Sequence, residues 1–110
     1  MKTVRPEAAA MNDDRSFHAA FQSALGFPAF YGHNMSAWVD CMGYLDDPGA
    51  GMSSVPVQPP QILVFHIDNA GDFKRQCPEL WLAFLECAAF VNWRSVDRGG
   101  AALLTVCAYA

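Results

Sequence analysis

Two apolar runs joined by a long helical pattern constrain this chain most. Gln61 to Ile67 reads QILVFHI, a continuous apolar stretch stopped by Asp68, Asn69 and Gly71. Such a run suits a strand covered on both faces, as in a parallel sheet. Pro78 fits the first position of a helix, which the pattern continues from Leu80 to Trp93. Leu80, Trp81, Phe84, Leu85, Ala88 and Val91 are its sheet-facing candidates, and Arg94, Asp97, Arg98, Gly99 and Gly100 end it. Ala101 to Tyr109, AALLTVCAY, reads as a last buried strand. Strand, helix and strand in this order form a βαβ unit, with parallel pairing and a right-handed crossover expected. A short helical turn fits Ala70 to Gln76.

The first half is built from shorter signals. Lys2 to Val4 has the character of a short strand, cut off by Pro6 and the alanines after it. Asp13, Asp14 and Ser16 supply capping chemistry for a helix from Ser16 to Leu25. Phe17, Ala20, Phe21, Ala24 and Leu25 follow the spacing of a core-facing stripe, and His18, beside it, is expected to be partly exposed. Pro28 disfavours helix for the residue before it, so the helix stops near Gly26 and Phe27. In FPAFYGHNMSAWVDCM, Phe27 to Met42, Gly32 is expected to take a backbone conformation that a β-carbon would resist. Asn34 stands where an N-cap belongs. Beyond it Met35, Trp38, Val39, Met42 and Leu45 fall on one helical arc. Ser36, Ala37, Asp40 and Tyr44 fall on the other, with Asp40 near its middle.

Asp46 to Pro60, DDPGAGMSSVPVQPP, holds four prolines and two glycines, which exclude helix and interior strand. It reads as a decorative loop, or as a frame for whatever the Asp40 helix binds.

Composition narrows the class. The 110 residues make a single domain, and 53 % hydrophobic against 16 % charged residues fits a compact core. A net charge of −4 argues against nucleic acid as a direct partner and permits a basic protein. MKTVRPEAAAMNDDRSF lacks the apolar centre of a signal peptide, and Leu80 to Val91 is short for a membrane span and interrupted by Glu86. Cys41, Cys77, Cys87 and Cys107 are widely separated, so neither disulfide nor zinc is expected. All four should be free thiols, at least two of them largely buried.

The chemistry of an enzyme is missing. There is no nucleophile elbow, phosphate loop or dinucleotide fingerprint. The three histidines are dispersed, and His66 with Asp68 reads as a satisfied strand end. Asp40 and Glu86 as a carboxylate pair on an open face would lack the burial that tunes catalytic groups. No cofactor and no metal are implied. What remains is a surface. Phe30, Tyr31 and Gly32 form a turn with large flat side chains, and Asp40 beside it stands on a rigid helix.

The same stretch resembles the signature of the barstar family, intracellular protein inhibitors of secreted ribonucleases. Pro28, Tyr31, Gly32, Asn34, Ala37, Asp40 and Cys41 match it in register and without gaps. The resemblance implies a barstar-like α/β fold, a small three-stranded parallel sheet packed with helices, with its first strand near Val4. It also implies a mechanism. The helix and turn enter a ribonuclease active site, and the aspartate matching Asp40 takes the place of a phosphate. AFLECAAF, Ala83 to Phe90, aligns Glu86 with a contacting glutamate of the family. The partner-binding residues are then Phe30, Tyr31, Gly32, His33, Asn34, Ser36, Trp38, Asp40, Tyr44 and Glu86.

Several positions depart from the family pattern. Phe30 lacks a tyrosine hydroxyl, His33 and Ser36 replace acidic residues, and Phe90 stands at a usual glutamate. Trp38-Val39 replaces Leu-Trp, which moves the indole one position along the helix. Two functions are therefore expected. The first is an immunity-type inhibitor of a secreted ribonuclease or toxin nuclease, acting in the cytoplasm of a bacterial cell. The second is a barstar-fold interaction module with a non-nuclease partner. Neither involves a membrane.

Overall fold

The computed structural model describes residues 2–6, 11–45, 47, 51–53 and 61–108. Its elements run β1 (Lys2–Val4), α1 (Asp14–Leu25), α2 (Met35–Met42), β2 (Leu63–Ile67), α3 (Ala70–Gln76), α4 (Pro78–Asp97) and β3 (Leu104–Ala108). The three strands form one sheet in the order β1-β2-β3. Every pairing is parallel, with Phe65 flanked by Val4 and Val106. The central strand β2 is buried at four of its five positions, as a continuous apolar run requires. The short strand at Lys2–Val4, which the resemblance implies, is present.

The boundaries differ from the sequence reading where side chains intervene. Helix α1 starts at Asp14, not Ser16, because Asp13 is the cap and Ser16 the third helical residue of a capping box. Asp13 Oδ1 accepts from the Ser16 amide at 2.8 Å, and the Ser16 hydroxyl accepts from the Asp13 amide at 3.0 Å. Helix α4 continues past Trp93 to Asp97, and β3 starts at Leu104, not Ala101. Two polar residues on α4 account for both shifts. Ser95 is buried and donates to the Ala101 carbonyl at 2.7 Å. Asn92 accepts from the Leu103 and Leu104 amides and donates to the Leu104 carbonyl. The chain before β3 is thus bound by α4 side chains ahead of the ladder. Gly100 permits this approach, because a β-carbon there would lie 2.9 Å from Ser95 Oγ. Tyr109, expected in the last strand, lies outside the described residues, as does most of the 46–60 loop.

The core is aromatic. Phe17, Phe21, Trp38, Phe65 and Phe84 are fully buried. Phe21 meets Trp38, Phe65 and Phe84 at centroid distances of 5.9, 5.2 and 5.5 Å. Rings at these separations contribute directional contacts beyond the area they bury. His18 joins this core and is fully buried, contrary to the partly exposed position expected for it. Of the thiols only Cys41 is buried; Cys77, Cys87 and Cys107 are half-buried, and all four are free. His66 Nε2 lies 3.1 Å from Asp68 Oδ1, and Arg5 pairs with the same carboxylate at 3.3 Å. The histidine at the end of β2 is therefore held by a structural pair.

Candidate functional site, a turn and helix face around Asp40

The face is assembled by the end of α1. Gly26 closes that helix in the left-handed conformation, φ 65°, with its amide on the Gln22 carbonyl. The chain then folds back into a turn in which the Tyr31 amide donates to the Pro28 carbonyl at 2.9 Å. The Gln22 side chain donates to the same carbonyl at 3.1 Å. Tyr31 points inward, 4 % exposed, and Phe30 points outward, 77 % exposed.

The tight position after this turn is His33, not Gly32. His33 takes φ 55°, and Gly32 is outside the left-handed region. Gly32 matters for space instead: a β-carbon would lie 3.3 Å from Asn34 Nδ2 and 3.5 Å from Ala37 Cβ. His33 Nδ1 donates to the Tyr31 carbonyl at 2.9 Å. Asn34 caps α2 as expected, its Oδ1 accepting from the Ala37 amide at 2.8 Å. Its Nδ2 donates to the Gly32 carbonyl. Both ends of the Asn34 amide thus hold the turn together.

Helix α2 buries Trp38, Cys41 and Met42 and exposes Ser36, Asp40 and Tyr44 from its start to just past its end. Asp40 lies where three depressions meet. One, about 340 Å³, is lined by Val39, Asp40, Gly43, Tyr44, Met52, Arg94 and Arg98. A second is lined by Met35, Ser36, Val39, Asp40, Cys87 and Phe90. The third is lined by Phe30, Tyr31, Gly32, Ala37, Asp40, Cys41 and Met52. No ion pair engages Asp40 among the described residues. Burial, with the charge of Asp40 beside it, pushes the Cys41 thiol up to about 11, which keeps it protonated and unreactive.

The residues expected at the site divide accordingly. Phe30, Gly32, His33, Asn34, Ser36, Asp40, Tyr44 and Glu86 are exposed. Trp38 is fully buried and Tyr31 nearly so, which corrects their expected place among partner contacts. Trp38 sits on the inward arc of α2, so the displaced indole became core. Glu86 is exposed on α4 but lines none of these three depressions. The side chains of α4 that do are Cys87, Phe90 and Arg94, joined by Arg98 at the C-cap. The two arginines are additions to the site, since in the sequence they mark only the end of a helix. Their spacing of four places them on one side of α4. Arg98 donates to the Gly43 carbonyl at 3.3 Å, and Arg94 lies 5.6 Å over the Phe90 ring. Met52, from the Pro/Gly-rich stretch, also borders Asp40.

A parallel three-stranded sheet with a capped turn and a carboxylate-bearing helix beside it places the chain among small α/β proteins that display one helix-and-turn face. The chain belongs to the barstar family: the family model described as Barstar (barnase inhibitor) matches residues 1–105. Members of that family are inhibitors and not enzymes, and membership supports an inhibitor-like role at the level of the family. Curated proteins include no significant match to the chain. Among the described residues no helix is long and apolar enough to cross a membrane, and no group of acidic, histidine or cysteine side chains is arranged to hold a metal ion.

Proposed function

We propose that this protein is an inhibitor that seats its Asp40 face in the active site of a ribonuclease, in the cytoplasm of the cell that makes both. One observation carries the reading in this family context: Asp40 is exposed on a rigid capped helix at the junction of three depressions. A carboxylate held in that way loses little freedom on binding. It pairs with the arginines or lysines that would otherwise hold an RNA phosphate. Phe30, projecting from the adjacent turn, supplies the flat apolar contact, with Ser36 and Tyr44 beside Asp40 on the same side of α2. Occlusion of the nuclease cleft is the whole mechanism, and no chemistry is asked of the inhibitor.

A second reading, a partner that is not a nuclease, is favoured by Arg94 and Arg98. Two cations beside Asp40 oppose those of a phosphate-binding site. One experiment separates the two readings. The chain is titrated against the secreted ribonuclease activity of the cells that make it, as wild type and as Asp40→Ala. Inhibition by wild type that the variant loses supports the first reading; undiminished ribonuclease activity supports the second.

A further inference from the structure

Asp40 is not the only charge in its groove. The depression of about 340 Å³ beside it brings that carboxylate and the guanidinium groups of Arg94 and Arg98 to one opening between α2 and α4. All three residues are exposed, and none enters an ion pair among the described residues. Opposite charges around one depression would pair if nothing held them apart. Here the arginines are held elsewhere. Arg98 donates to the Gly43 carbonyl at 3.3 Å, and the Arg94 guanidinium lies 5.6 Å from the centre of the Phe90 ring. Neither contact neutralises a charge, and each leaves N–H donors of the planar fork unused.

The charges also have an order. Asp40 is shared with the neighbouring depression, where Met35, Val39, Cys87 and Phe90 give an apolar lining. Along α4 the groove therefore passes from Cys87 and Phe90 to Arg94 and Arg98, with Asp40 on the α2 wall of both parts.

A partner that offered only cations would be penalised here. Docking strips water from Arg94 and Arg98, and a desolvated guanidinium is compensated only where a countercharge takes the place of that water. The same docking would press the cation that pairs with Asp40 against two like charges. Both costs are removed when the partner carries an acidic side chain beside that cation. Two arginines one helical turn apart lie on the same side of α4 and offer a carboxylate charge-assisted contacts to both of its oxygens. A free phosphate fits less well, because its nearly double charge would face Asp40 across the same depression.

We infer, on the reading of the Asp40 face as the surface that blocks a ribonuclease, that the partner carries an aspartate or glutamate beside the cation taken by Asp40, and that Arg94 and Arg98 receive this carboxylate. The nuclease is then one whose phosphate-binding cation is flanked by an acid. Asp40 attracts any basic cleft, whereas the arginines reject a uniformly basic one and so supply the discrimination.

The test is the sign of the change when these charges are reversed. The secreted ribonuclease activity of the cells that make the chain is titrated with wild type, Asp40→Ala, Arg94→Glu, Arg98→Glu and Arg94→Lys, each shown to fold by its melting curve. Arg94→Glu and Arg98→Glu should each raise the concentration for half inhibition about tenfold or more. Arg94→Lys, which keeps the charge and loses the fork, should fall between wild type and Arg94→Glu. The effect of reversal should shrink in about 0.5 M salt, where exposed charges are screened. If both reversals leave inhibition unchanged or strengthen it while Asp40→Ala abolishes it, the partner has no acid there; this inference is overturned and the Asp40 reading stands. If wild type does not inhibit, or Asp40→Ala inhibits as well as wild type, both are overturned.

Discussion

The imidazole Nδ1 of His18 lies 2.5 Å from the Tyr31 hydroxyl, and this buried bond ties α1 to the turn that displays Phe30. Burial holds the Tyr31 phenol well above its ordinary range and the His18 imidazole below its own. The phenol therefore stays the donor and Nδ1 the acceptor. The proton of the neutral ring is then on Nε2, 3.7 Å from Asp14 Oδ1 and beyond hydrogen-bond reach. The inward anchor of the turn at Tyr31 is what directs its neighbour Phe30 to solvent.

Removing the phenolic hydroxyl should expose the worth of this bond. Tyr31→Phe leaves Nδ1 buried and unpaired, at a cost of about 1–3 kcal/mol. Urea unfolding at neutral pH measures it. A midpoint equal to wild type would show that the bond is not formed in solution.

The same pair makes stability depend on pH in a defined direction. The His18 pKa is lowered from 6.5 in the folded state by burial first, with Asp14 opposing the shift and His33 adding to it. The unfolded chain thus binds the proton more readily, and stability rises with pH across this range. The contribution should be complete above 6.5 and fall away as pH drops below it. His18→Gln, which does not titrate, should flatten the difference between unfolding midpoints at pH values either side of that value. A wild-type midpoint that does not decline on acidification would refute the assignment.

Contact and core residues should separate cleanly. Trp38→Ala empties a fully buried site and should cost about 3–5 kcal/mol of stability. Phe30→Ala and Asp40→Ala alter exposed side chains and should stay within about 0.5 kcal/mol of wild type. Their effect should appear in partner binding instead. Loss of stability without loss of binding in the Asp40 variant would remove it from the proposed contact face.

Specificity should follow the charges around Asp40. Ser36, His33 and Phe90 stand where the family pattern is acidic, and Arg94 and Arg98 add positive charge to the same groove. Steering toward a strongly basic active site is weakened by each change. Barnase, named in the family's description, should therefore be inhibited poorly, at roughly micromolar concentrations or above. The double variant Arg94→Glu, Arg98→Glu should inhibit it better than wild type. Nanomolar inhibition of barnase by the unaltered chain would reverse this argument.

Much of the molecule is legible locally. The apolar run of β2, the proline that opens α4, the asparagine that caps α2 and the extent of α3 all depend on signals a few residues apart. Helical periodicity already placed Trp38 on the buried arc of α2; only the family resemblance moved it to the contact face. What stayed hidden depends on residues far apart in the chain. His18 is buried because Tyr31 lands on it, thirteen positions on. Arg94 and Arg98 enter the groove of Asp40 because α4 packs along α2. The start of β3 is set by Asn92, eleven and twelve residues earlier. A single step around a helix turns a side chain by about 100°, from core to surface at the margin of a stripe. Periodicity identifies the stripe, and only the neighbouring element decides what lies at its edge.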